Sequence, residues 1–464
     1  MRWRTDVAVD SRVSYGAAPG SLVNQVDDPT STTEHEVLLT GLSADTQYSY
    51  AIGTTSQILA GDDAEHFFVT SPVPGTEKPL QVWVLGDSGL VNNNARAVRD
   101  AYLGFTGSRY TDVWLMLGDN AYNSGTDSEY QAAVFDQHSG LLRQTPLWST
   151  LGNHDGASAD SATQTGVYYD SFTFPKSAQA GGLASGTEAY YSFDYANIHF
   201  VCLDSHDSDR SPGGAMLTWL ENDLAETTQK WIIAFWHHPP YSKGSHNSDT
   251  ESQLIQMREN ALPILESYGV DLVMGGHSHA YERSFLVDGH YGTSSTLTNQ
   301  MRVDDGDGQE DGNGAYIKES KGAIYIVAGS SAQATGGSLN HPVMHVSLNQ
   351  LGSLVLNIDG DRLDATFLDD VGLIQDYLTI VKPSAGNQAP SVAAGGDQTI
   401  ILPTTASLNG TVSDDGLPDP PSTVTTAWIQ VGGPGSVTLV NATMVNATAS
   451  FPVEGTYVLQ LTAN

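Results

Sequence analysis

The chain has 464 residues, of which 53 are acidic and 19 are basic, giving a formal net charge of −34. This excess of negative charge argues against binding to nucleic acid or to an anionic membrane surface, because phosphate groups would be repelled. Hydrophobic residues make up 39% of the chain, enough for folded cores, and the length predicts two or three domains. The single cysteine, Cys202, excludes an internal disulfide.

The sequence contains no apolar run of 18 or more residues, so we expect no membrane span. Its first residues have no apolar stretch resembling a secretion signal. We nevertheless favour an extracellular, secreted protein whose natural N-terminus has been removed or is missing, because small β modules are predicted at both ends.

Residues 1–75 are predicted to form a small all-β module. Short alternating segments separated by Gly, Pro, Asp and Ser are typical of strands, here 12–15, 34–39, 48–53 and 66–70. Residues 35–42 and 46–50 resemble a fibronectin type III repeat. Such a sandwich has about seven strands, so we expect this module to be incomplete and to serve as a scaffold.

From residue 80 the pattern changes to short apolar runs that alternate with helical stretches. This alternation predicts a layered α/β domain over residues 78–383. The predicted strands are 80–85, 113–117, 147–151, 198–203, 231–236, 270–274 and 323–328. The predicted helices are 96–103, 128–142, 212–227 and 252–268.

Five of these strands end in side chains that can bind metal ions. Open α/β sheets bind ligands at the carboxyl ends of their strands, so we expect these side chains to meet at the edge of one sheet. A single Gly-Asp or Gly-Asn is often only a turn, but five such ends in order indicate a site. The residues are Asp87, Asp119, Tyr122, Asn153, His154, His237, His277 and His279.

The types of these side chains indicate the chemistry. Oxygen and imidazole ligands without thiolate suit a hard or borderline metal such as Fe, Mn or Zn. The set is too large for one ion, and a carboxylate can bridge two. Two ions can clamp an in-line displacement at phosphorus and lower the pKa of a bound water. Because bound cations dominate the local field, a phosphate anion would enter despite the acidic surface.

The same segments resemble the five motif blocks of the calcineurin-like metallophosphoesterases. Tyr122, three residues after the second aspartate, and the run His-x-His-Ala-Tyr-Glu-Arg from His277 are similar to the purple acid phosphatases, especially the plant-type members, which also carry a leading β module. The resemblance extends over residues 12–382. It implies a β-sandwich flanked by helices, and hydrolysis of phosphate monoesters by a metal-bound hydroxide.

The resemblance also implies which residues hold each metal. Fe(III) would be held by Asp87, Tyr122 and His279, and a divalent Fe, Zn or Mn by Asn153, His237 and His277, with Asp119 bridging the two ions. A phenolate suits the hard ferric ion and gives the family its purple colour. In the wider superfamily this tyrosine position supplies no ligand, and the alternative for Tyr122 is a core tyrosine with a satisfied hydroxyl.

Three further residues receive catalytic roles by the same resemblance. His154 would contact the phosphate in the transition state, and Asp155 would orient His154. His246 would help to protonate the leaving alkoxide, although plant-type members have a histidine pair where this chain has His246 and Asn247. His238 is expected to point away from the metals and to make a structural hydrogen bond.

Residues 304–314 form an acidic, glycine-rich loop that superficially resembles a calcium site. An EF-hand loop needs acidic residues at fixed positions, and a match starting at Asp307 fails at Gln309 and Lys318. We therefore expect an exposed acidic loop that shapes substrate access, with calcium binding in 304–314 as the alternative.

Residues 384–391 have the composition of a linker. Residues 392–464 again show short strand-like segments separated by turns, the pattern of a β-sandwich. The predicted strands are 399–402, 406–411, 425–430, 436–439, 448–452 and 456–461. This segment resembles the PKD-like, immunoglobulin-type modules of secreted bacterial enzymes. We expect it to lack its final strand and to serve in spacing, surface attachment or self-association.

The sequence as a whole favours a secreted binuclear-metal phosphatase acting on a phosphorylated small molecule. A phosphodiesterase or pyrophosphatase on the same fold stays open, because the metal motifs do not fix what lies beyond the scissile bond. An extracellular structural or adhesive assembly protein with a phosphatase-like domain is the third hypothesis. The complete ligand set argues against a vestigial site, and the incomplete modules at both ends keep an assembly role open.

Overall fold

A computed structural model describes residues 1–383, 390–414 and 424–463. The chain divides into two compact units, Met1–Lys382 and Pro383–Asn464. Most of the predicted linker, residues 384–389, lies outside the described residues. Among the residues that are described, no helix has the length and apolarity needed to cross a membrane.

The N-terminal module is one five-stranded sheet. Its strands follow the order Asn24–Glu36, Arg2–Gly16, Gln47–Gly53 and Ile58–Gly61, with Phe67–Val69 also paired to Gln47–Gly53. The strand Arg2–Gly16 is longer than the predicted 12–15, because bulges near Val9 interrupt the alternation. The predicted strand 34–39 is formed only over residues 34–36, at the end of Asn24–Glu36. The module packs on the catalytic domain, where the Tyr50 hydroxyl donates to the Arg143 carbonyl at 2.9 Å.

Two seven-stranded sheets form the framework of the catalytic domain. The first sheet has the order Tyr316–Ile317, Ile374–Val381, Arg362–Asp369, Gly352–Asp359, Leu80–Leu85, Val113–Met116 and Leu147–Ser149. The second sheet has the order Tyr191–Tyr195, Ile198–Cys202, Trp231–Trp236, Leu272–Gly275, Ile324–Ala328, Tyr281–Ser284 and Met344–Leu348. Two small ribbons pair Ala159–Asp160 with Thr165–Gly166 and Leu286–Val287 with Arg302–Asp304.

The prediction that one sheet carries all five ligand-bearing strands is wrong. Three of these strands are parallel neighbours in the first sheet, and Trp231–Trp236 and Leu272–Gly275 are parallel neighbours in the second. Each of the five is a short apolar run, and apolar periodicity does not tell which sheet a buried strand joins. The site therefore lies between two sheets.

Aromatic stacks and the buried ion pair of Arg283 with Asp376 join the two sheets. Trp148 of the first sheet stacks on Phe193 of the second, with ring centroids 3.8 Å apart. Tyr281 of the second sheet stacks on Phe367 of the first at 4.0 Å. Close stacking of large rings buries much apolar surface, so the aromatic layer holds the sheets in a defined register.

Helices cover the outer faces of the sandwich. The regular ones are Asn93–Thr106, Val167–Ser171 and Ala215–Glu226. The predicted helices 128–142 and 252–268 are instead each broken by a π-helical turn, Gln131–Asp136 between Asp127–Tyr130 and Ser139–Leu142, and Met257–Ala261 between Ser252–Gln256 and Leu262–Ser267. Short 3₁₀ turns occur at Asp155–Ala157, Ser294–Thr296 and Asn299–Met301. Hydrophobic periodicity near 3.6 residues does not reveal a π-helical turn, so it predicts each of the segments 128–142 and 252–268 as one continuous helix.

The C-terminal unit is built from short antiparallel strands around the buried side chain of Trp428. The strands are Ser391–Ala393, Ala406–Asn409, Thr411–Ser413, Thr426–Gly432, Thr438–Val440, Asn446–Ser450 and Val458–Ala463. The predicted strand 406–411 is divided at Gly410, where a Cβ atom would lie 2.4 Å from Leu461. The predicted strand 399–402 is not formed.

A buried histidine ties helix Ala215–Glu226 to the second sheet. His199 Nδ1 lies 2.8 Å from an Asp194 oxygen, and its Nε2 lies 2.9 Å from an Asp223 oxygen. Burial by itself lowers the pKa of His199, but the hydrogen bonds to the two carboxylates raise it to about 9. The charged ring is thus favoured in the folded protein.

This arrangement predicts a loss of stability at alkaline pH. The pKa of histidine in an unfolded chain is about 6.5. The folded value is higher, so the stabilisation is complete below pH of about 6.5 and is lost as the pH rises through about 9. At about 1.4 kcal/mol per pH unit, the loss is roughly 3 kcal/mol. Urea unfolding at pH 6 and pH 9.5 measures it, and His199→Gln should remove most of the difference. An unchanged difference in that variant would contradict the prediction.

Candidate metal centre

Four of the predicted ligands form one cluster, which we call the tyrosine cluster: Asp87, Asp119, Tyr122 and His279. The Tyr122 hydroxyl lies 3.0 Å from Asp87 Oδ1 and 3.0 Å from Asp119 Oδ2. His279 Nε2 lies 3.4 Å from both the Tyr122 hydroxyl and Asp87 Oδ1. Three oxygens and one imidazole nitrogen therefore converge on one point.

A second group, the asparagine cluster, consists of Asp119, Asn153, His237 and His277. His237 Nε2 lies 3.0 Å from Asn153 Oδ1, 3.2 Å from His277 Nδ1 and 3.4 Å from Asp119 Oδ1. The other ring nitrogen of His237 bonds the Leu117 carbonyl at 2.9 Å, which orients the ring. Asp119 thus belongs to both clusters, with one carboxylate oxygen facing each.

The backbone around the clusters is shaped for close approach. Asp87, Asp119 and His277 adopt left-handed conformations with φ of 55°, 52° and 65°. Such conformations in residues other than glycine are uncommon and concentrate at functional sites. Glycine is needed at Gly152, where a Cβ atom would lie 2.2 Å from Asp119 Oδ1, and at Gly276, where it would lie 2.6 Å from Asp87 Oδ2.

The electrostatics of the clusters fit bound cations. Burial, together with the carboxylates of Asp87 and Asp119, raises the pKa of the Tyr122 hydroxyl far above its ordinary value. A buried group of two carboxylates and a phenol is costly without positive charge, and a cation of high charge reverses the preference and favours phenolate. The oxygen-rich tyrosine cluster suits a hard ion, and the asparagine cluster suits a borderline divalent ion. The residues present therefore fit two metal ions.

His154 lies at the open side of the centre. Its backbone N–H donates to Asp119 Oδ1 at 2.9 Å, and its ring Nδ1 lies 2.7 Å from the Asn123 carbonyl. Since the carbonyl can only accept, Nδ1 carries a proton, and Nε2 is the ring nitrogen that faces the centre. This Nε2 is 3.8 Å from Asp119 Oδ2. The ring of His154 therefore lies beside the carboxylate that the two clusters share.

The predicted orienting role of Asp155 is corrected by the structure. The carboxylate of Asp155 is fully buried and bonds the backbone of Gly152 and Asn120 and the Tyr130 hydroxyl. The ring of His154 is held by the Asn123 carbonyl instead. Because the carboxylate accepts two backbone N–H groups, Asp155 fixes the loops that follow two ligand strands rather than the histidine beside it.

His246 lies against the asparagine cluster. Its ring packs on the His277 ring with centroids 3.7 Å apart, and its Nδ1 lies 2.7 Å from Glu251 Oε2. His238 makes the expected structural bond, from Nδ1 to Ser205 Oγ at 2.9 Å, yet its ring also lies 4.3 Å from His277. The expectation that it points away from the centre is therefore wrong.

Several contacts to the centre come from residues that no motif marked. Glu251 contacts His246 and also lies 3.5 Å from His277 Nε2. Gln333 Nε2 lies 3.2 Å from His279 Nε2, and Thr335 Oγ1 lies 3.3 Å from His279 Nδ1. Gln333 and Thr335 are distant from the ligands in sequence, and Glu251 directly precedes the ordinary helix Ser252–Gln256. No local signal in the sequence therefore identifies them.

The acidic loop 304–314 has other partners. Asp307 Oδ1 accepts the backbone N–H groups of Gln309 and Asn313, each at 2.9 Å, and Glu310 pairs with Arg362 at 2.7 Å. Within the described residues, this loop contributes no group of three acidic or histidine side chains close enough to share an ion. The geometry adds nothing in favour of calcium.

Comparison with known proteins agrees with this geometry. Residues 80–281 match the family model for the calcineurin-like phosphoesterase, and residues 394–464 match a family model for a PKD domain. Purple acid phosphatase 15 of Arabidopsis thaliana is 30% identical over 286 residues, which cover 56% of this chain and 51% of that protein. Purple acid phosphatase 22 of the same plant is 29% identical over 326 residues, covering 65% of this chain and 67% of its own length.

The chain thus spans about half the length of Purple acid phosphatase 15. Among solved structures, the purple acid phosphatase PPD1 from yellow lupin seeds has a similar fold, with a TM-score of 0.62 and 18% identity over 82% of this chain and 71% of that one. The matched family region contains every residue of both clusters. Residues 80–281 are therefore a calcineurin-like phosphoesterase domain with purple acid phosphatases among its relatives, and residues 394–464 are a PKD domain.

Proposed function

We propose that the protein hydrolyses phosphate monoesters at a centre of one ferric and one divalent ion. The observation that carries this proposal is the position of Asp119, whose two oxygens face separate clusters. A bridging carboxylate with three further ligands on each side is the arrangement expected for two ions. The relatives named purple acid phosphatase support the same conclusion.

In this proposal Asp87, Tyr122 and His279 hold the ferric ion, and Asn153, His237 and His277 hold a divalent Fe, Zn or Mn. When bound, the two ions supply a hydroxide near neutral pH and neutralise charge on the phosphoryl oxygens. The remaining steps belong to the protein. His154, fixed by the Asn123 carbonyl, contacts a phosphoryl oxygen, and His246, fixed by Glu251, donates a proton to the leaving alkoxide.

A pair of substrates tests the proposal. The metal-loaded protein should hydrolyse p-nitrophenyl phosphate at least tenfold faster than bis(p-nitrophenyl) phosphate, compared as kcat/KM. The reverse order would favour a phosphodiesterase on the same fold. Turnover of neither ester, nor of inorganic pyrophosphate, by protein with two bound metals would reject the enzymatic proposal.

Tyr122→Phe tests the ferric assignment. Protein purified without chelator should show a broad visible absorption band, because phenolate bound to Fe(III) gives charge transfer. We expect Tyr122→Phe to abolish the band, since the variant lacks the phenolate oxygen but keeps the ring. Tyr130→Phe, a nearby buried tyrosine that bonds Asp155, is the matched control and should keep the band. A colourless parent protein with two zinc or manganese ions would remove Tyr122 from the ligand set.

We also infer that the protein is extracellular. The strongly acidic composition and the PKD domain support this assignment. Self-association or surface attachment through the terminal β modules is a linked proposal. Light scattering of the native protein tests it: a monodisperse monomer would reject self-association.

A further inference from the structure

Glu282 lies on the strand Tyr281–Ser284, directly after the two ligand histidines, and its side chain points away from the ion pair that Arg283 forms with Asp376. Strand side chains alternate between faces. Tyr281 and Arg283 both bond Asp376 of the first sheet, at 2.8 Å and 2.6 Å. Glu282 therefore points to the opposite face, where it meets the loop of residues 242–246, which we call the histidine loop because it ends in His246.

Glu282 is completely buried, and its oxygens are used by the histidine loop. One carboxylate oxygen accepts the Ser242 hydroxyl, and the other accepts the Lys243 backbone N–H at 3.2 Å. Burial raises the pKa of Glu282 above its ordinary value, and these hydrogen bonds oppose that shift. A buried carboxylate is costly unless several donors reach it, so the bonds are a strong constraint on the loop.

The Ser242 hydroxyl extends the contact to the metal-binding run. Its oxygen lies 2.7 Å from the Ser278 hydroxyl and 3.1 Å from the Gly244 N–H. The Ser242 hydroxyl is thus in hydrogen-bond contact with both the Glu282 carboxyl group and the Ser278 hydroxyl. Ser278 stands between the two ligand histidines, so the histidine loop is bonded to the run that carries them.

The rest of the histidine loop follows the same run, residue by residue. Gly244 packs on Ser278, where a Cβ atom would lie 2.3 Å from Oγ. Ser245 Oγ accepts the His279 N–H at 2.8 Å, and the His246 ring packs on His277. On the other side, a Cβ atom on Gly337 would lie 1.7 Å from the Gly244 carbonyl. The loop is thus enclosed, with Glu282 at its base.

From these contacts we propose that Glu282 is a positioning residue for His246. By holding Ser242 and Lys243, it sets the path of the histidine loop across the metal-binding run and so places the His246 imidazole beside His277. This inference rests on the proposed function for its catalytic consequence, because His246 is there the proton donor. The position of the ring is a separate, structural consequence.

The catalytic consequence is tested with two leaving groups. Glu282→Gln keeps the size of the side chain but turns one acceptor into a donor that faces the Lys243 N–H or the Ser242 hydroxyl. We expect kcat to fall roughly tenfold for glycerol phosphate, whose alkoxide needs a proton, and less than threefold for p-nitrophenyl phosphate. His246→Asn should show the same selectivity, and the double variant should be no slower than His246→Asn alone.

The structural consequence is read without turnover. The measurement is NMR of zinc-loaded full-length protein with isotope-labelled histidine. Glu282→Gln should shift or broaden the NMR signal of the His246 ring and leave the signal of His66, in the N-terminal module, unchanged. Zinc content should stay at the parent value. Glu226→Gln, an exposed glutamate on helix Ala215–Glu226, is the matched control and should change neither signal nor rate.

The outcomes separate the two proposals. An unchanged His246 signal in Glu282→Gln overturns the positioning role, as does an equal loss with both leaving groups or an effect that adds to that of His246→Asn. If the parent protein hydrolyses neither ester, the proposed function fails, and the His246 signal alone decides the role of Glu282. Ser242→Ala removes the three hydrogen bonds of the Ser242 hydroxyl but keeps the Glu282 carboxylate and its bond to the Lys243 N–H, and it should shift the His246 signal in the same direction.

Discussion

Replacing Asp119 with asparagine is expected to lower kcat for phosphate monoesters by roughly 10³-fold or more and to reduce the metal content from two ions to one or none. Asp119 Oδ2 faces the tyrosine cluster, and Oδ1 faces the asparagine cluster and also accepts the His154 N–H. An amide has no negative charge, and its nitrogen donates hydrogen bonds and is a poor ligand. One substitution therefore removes charge from both clusters.

Metal analysis and steady-state kinetics on the same sample measure this effect. Asp100→Asn is the matched control, because the Asp100 side chain is 62% exposed, lies on helix Asn93–Thr106 and pairs with Arg99. Thermal unfolding of the chelator-treated proteins separates metal loss from misfolding, and Asp119→Asn should unfold within a few degrees of the parent. Two retained metals with near-parent kcat in Asp119→Asn would contradict a bridging role.

Arg283→Met is expected to be the most destabilising of the substitutions considered, by roughly 3–5 kcal/mol. The Arg283 guanidinium bonds both oxygens of Asp376, at 2.6 and 2.9 Å, and both side chains are buried. Removing the cation leaves the Asp376 carboxylate between the two sheets with the Tyr281 hydroxyl and the Gln309 amide as its remaining donors. An uncompensated buried charge accounts for the size of the effect.

Calorimetry checks this prediction, and a loss of that size corresponds to a fall in Tm of roughly 10 °C for a domain of this length. Arg362→Met removes a partly exposed guanidinium that pairs with Glu310 and Asp364, and it should cost less than about 1 kcal/mol. The double variant Arg283→Met with Asp376→Leu should recover part of the stability, because it removes both charges. Equal Tm values for Arg283→Met and Arg362→Met would show that the buried pair contributes little.

The ligand types could be predicted from the sequence, as could, to within two residues, the bounds of the five strands that precede the ligands. Each ligand directly follows a buried apolar run, and a strand end is a local event that neighbouring residues determine. The strands Leu80–Leu85 and Trp231–Trp236 agree with the predicted ranges for this reason. The expectation that Asp119 bridges two ions comes from the family resemblance and not from the residues alone.

The partners of these residues could not be predicted, because they depend on which strands and loops meet. Glu251 and Gln333 reach the centre from outside the motif blocks. Asp155 adjoins His154 in the chain, yet it bonds Asn120 and Tyr130 across two loops. Sequence neighbours are a poor guide at a turn, where the backbone changes direction and adjacent side chains separate.

By itself, then, the sequence determined the chemistry of this protein: carboxylate, phenol, amide and imidazole side chains at five strand ends, and the family that such an order resembles. Only the tertiary structure decided that the ligand-bearing strands are divided between two sheets, that Asp119 lies between the clusters, and that Glu282 faces the histidine loop. The physical reason is the range of the forces involved. Apolar periodicity and turns act within a few residues, whereas sheet pairing and buried hydrogen bonds join residues that are far apart in the chain.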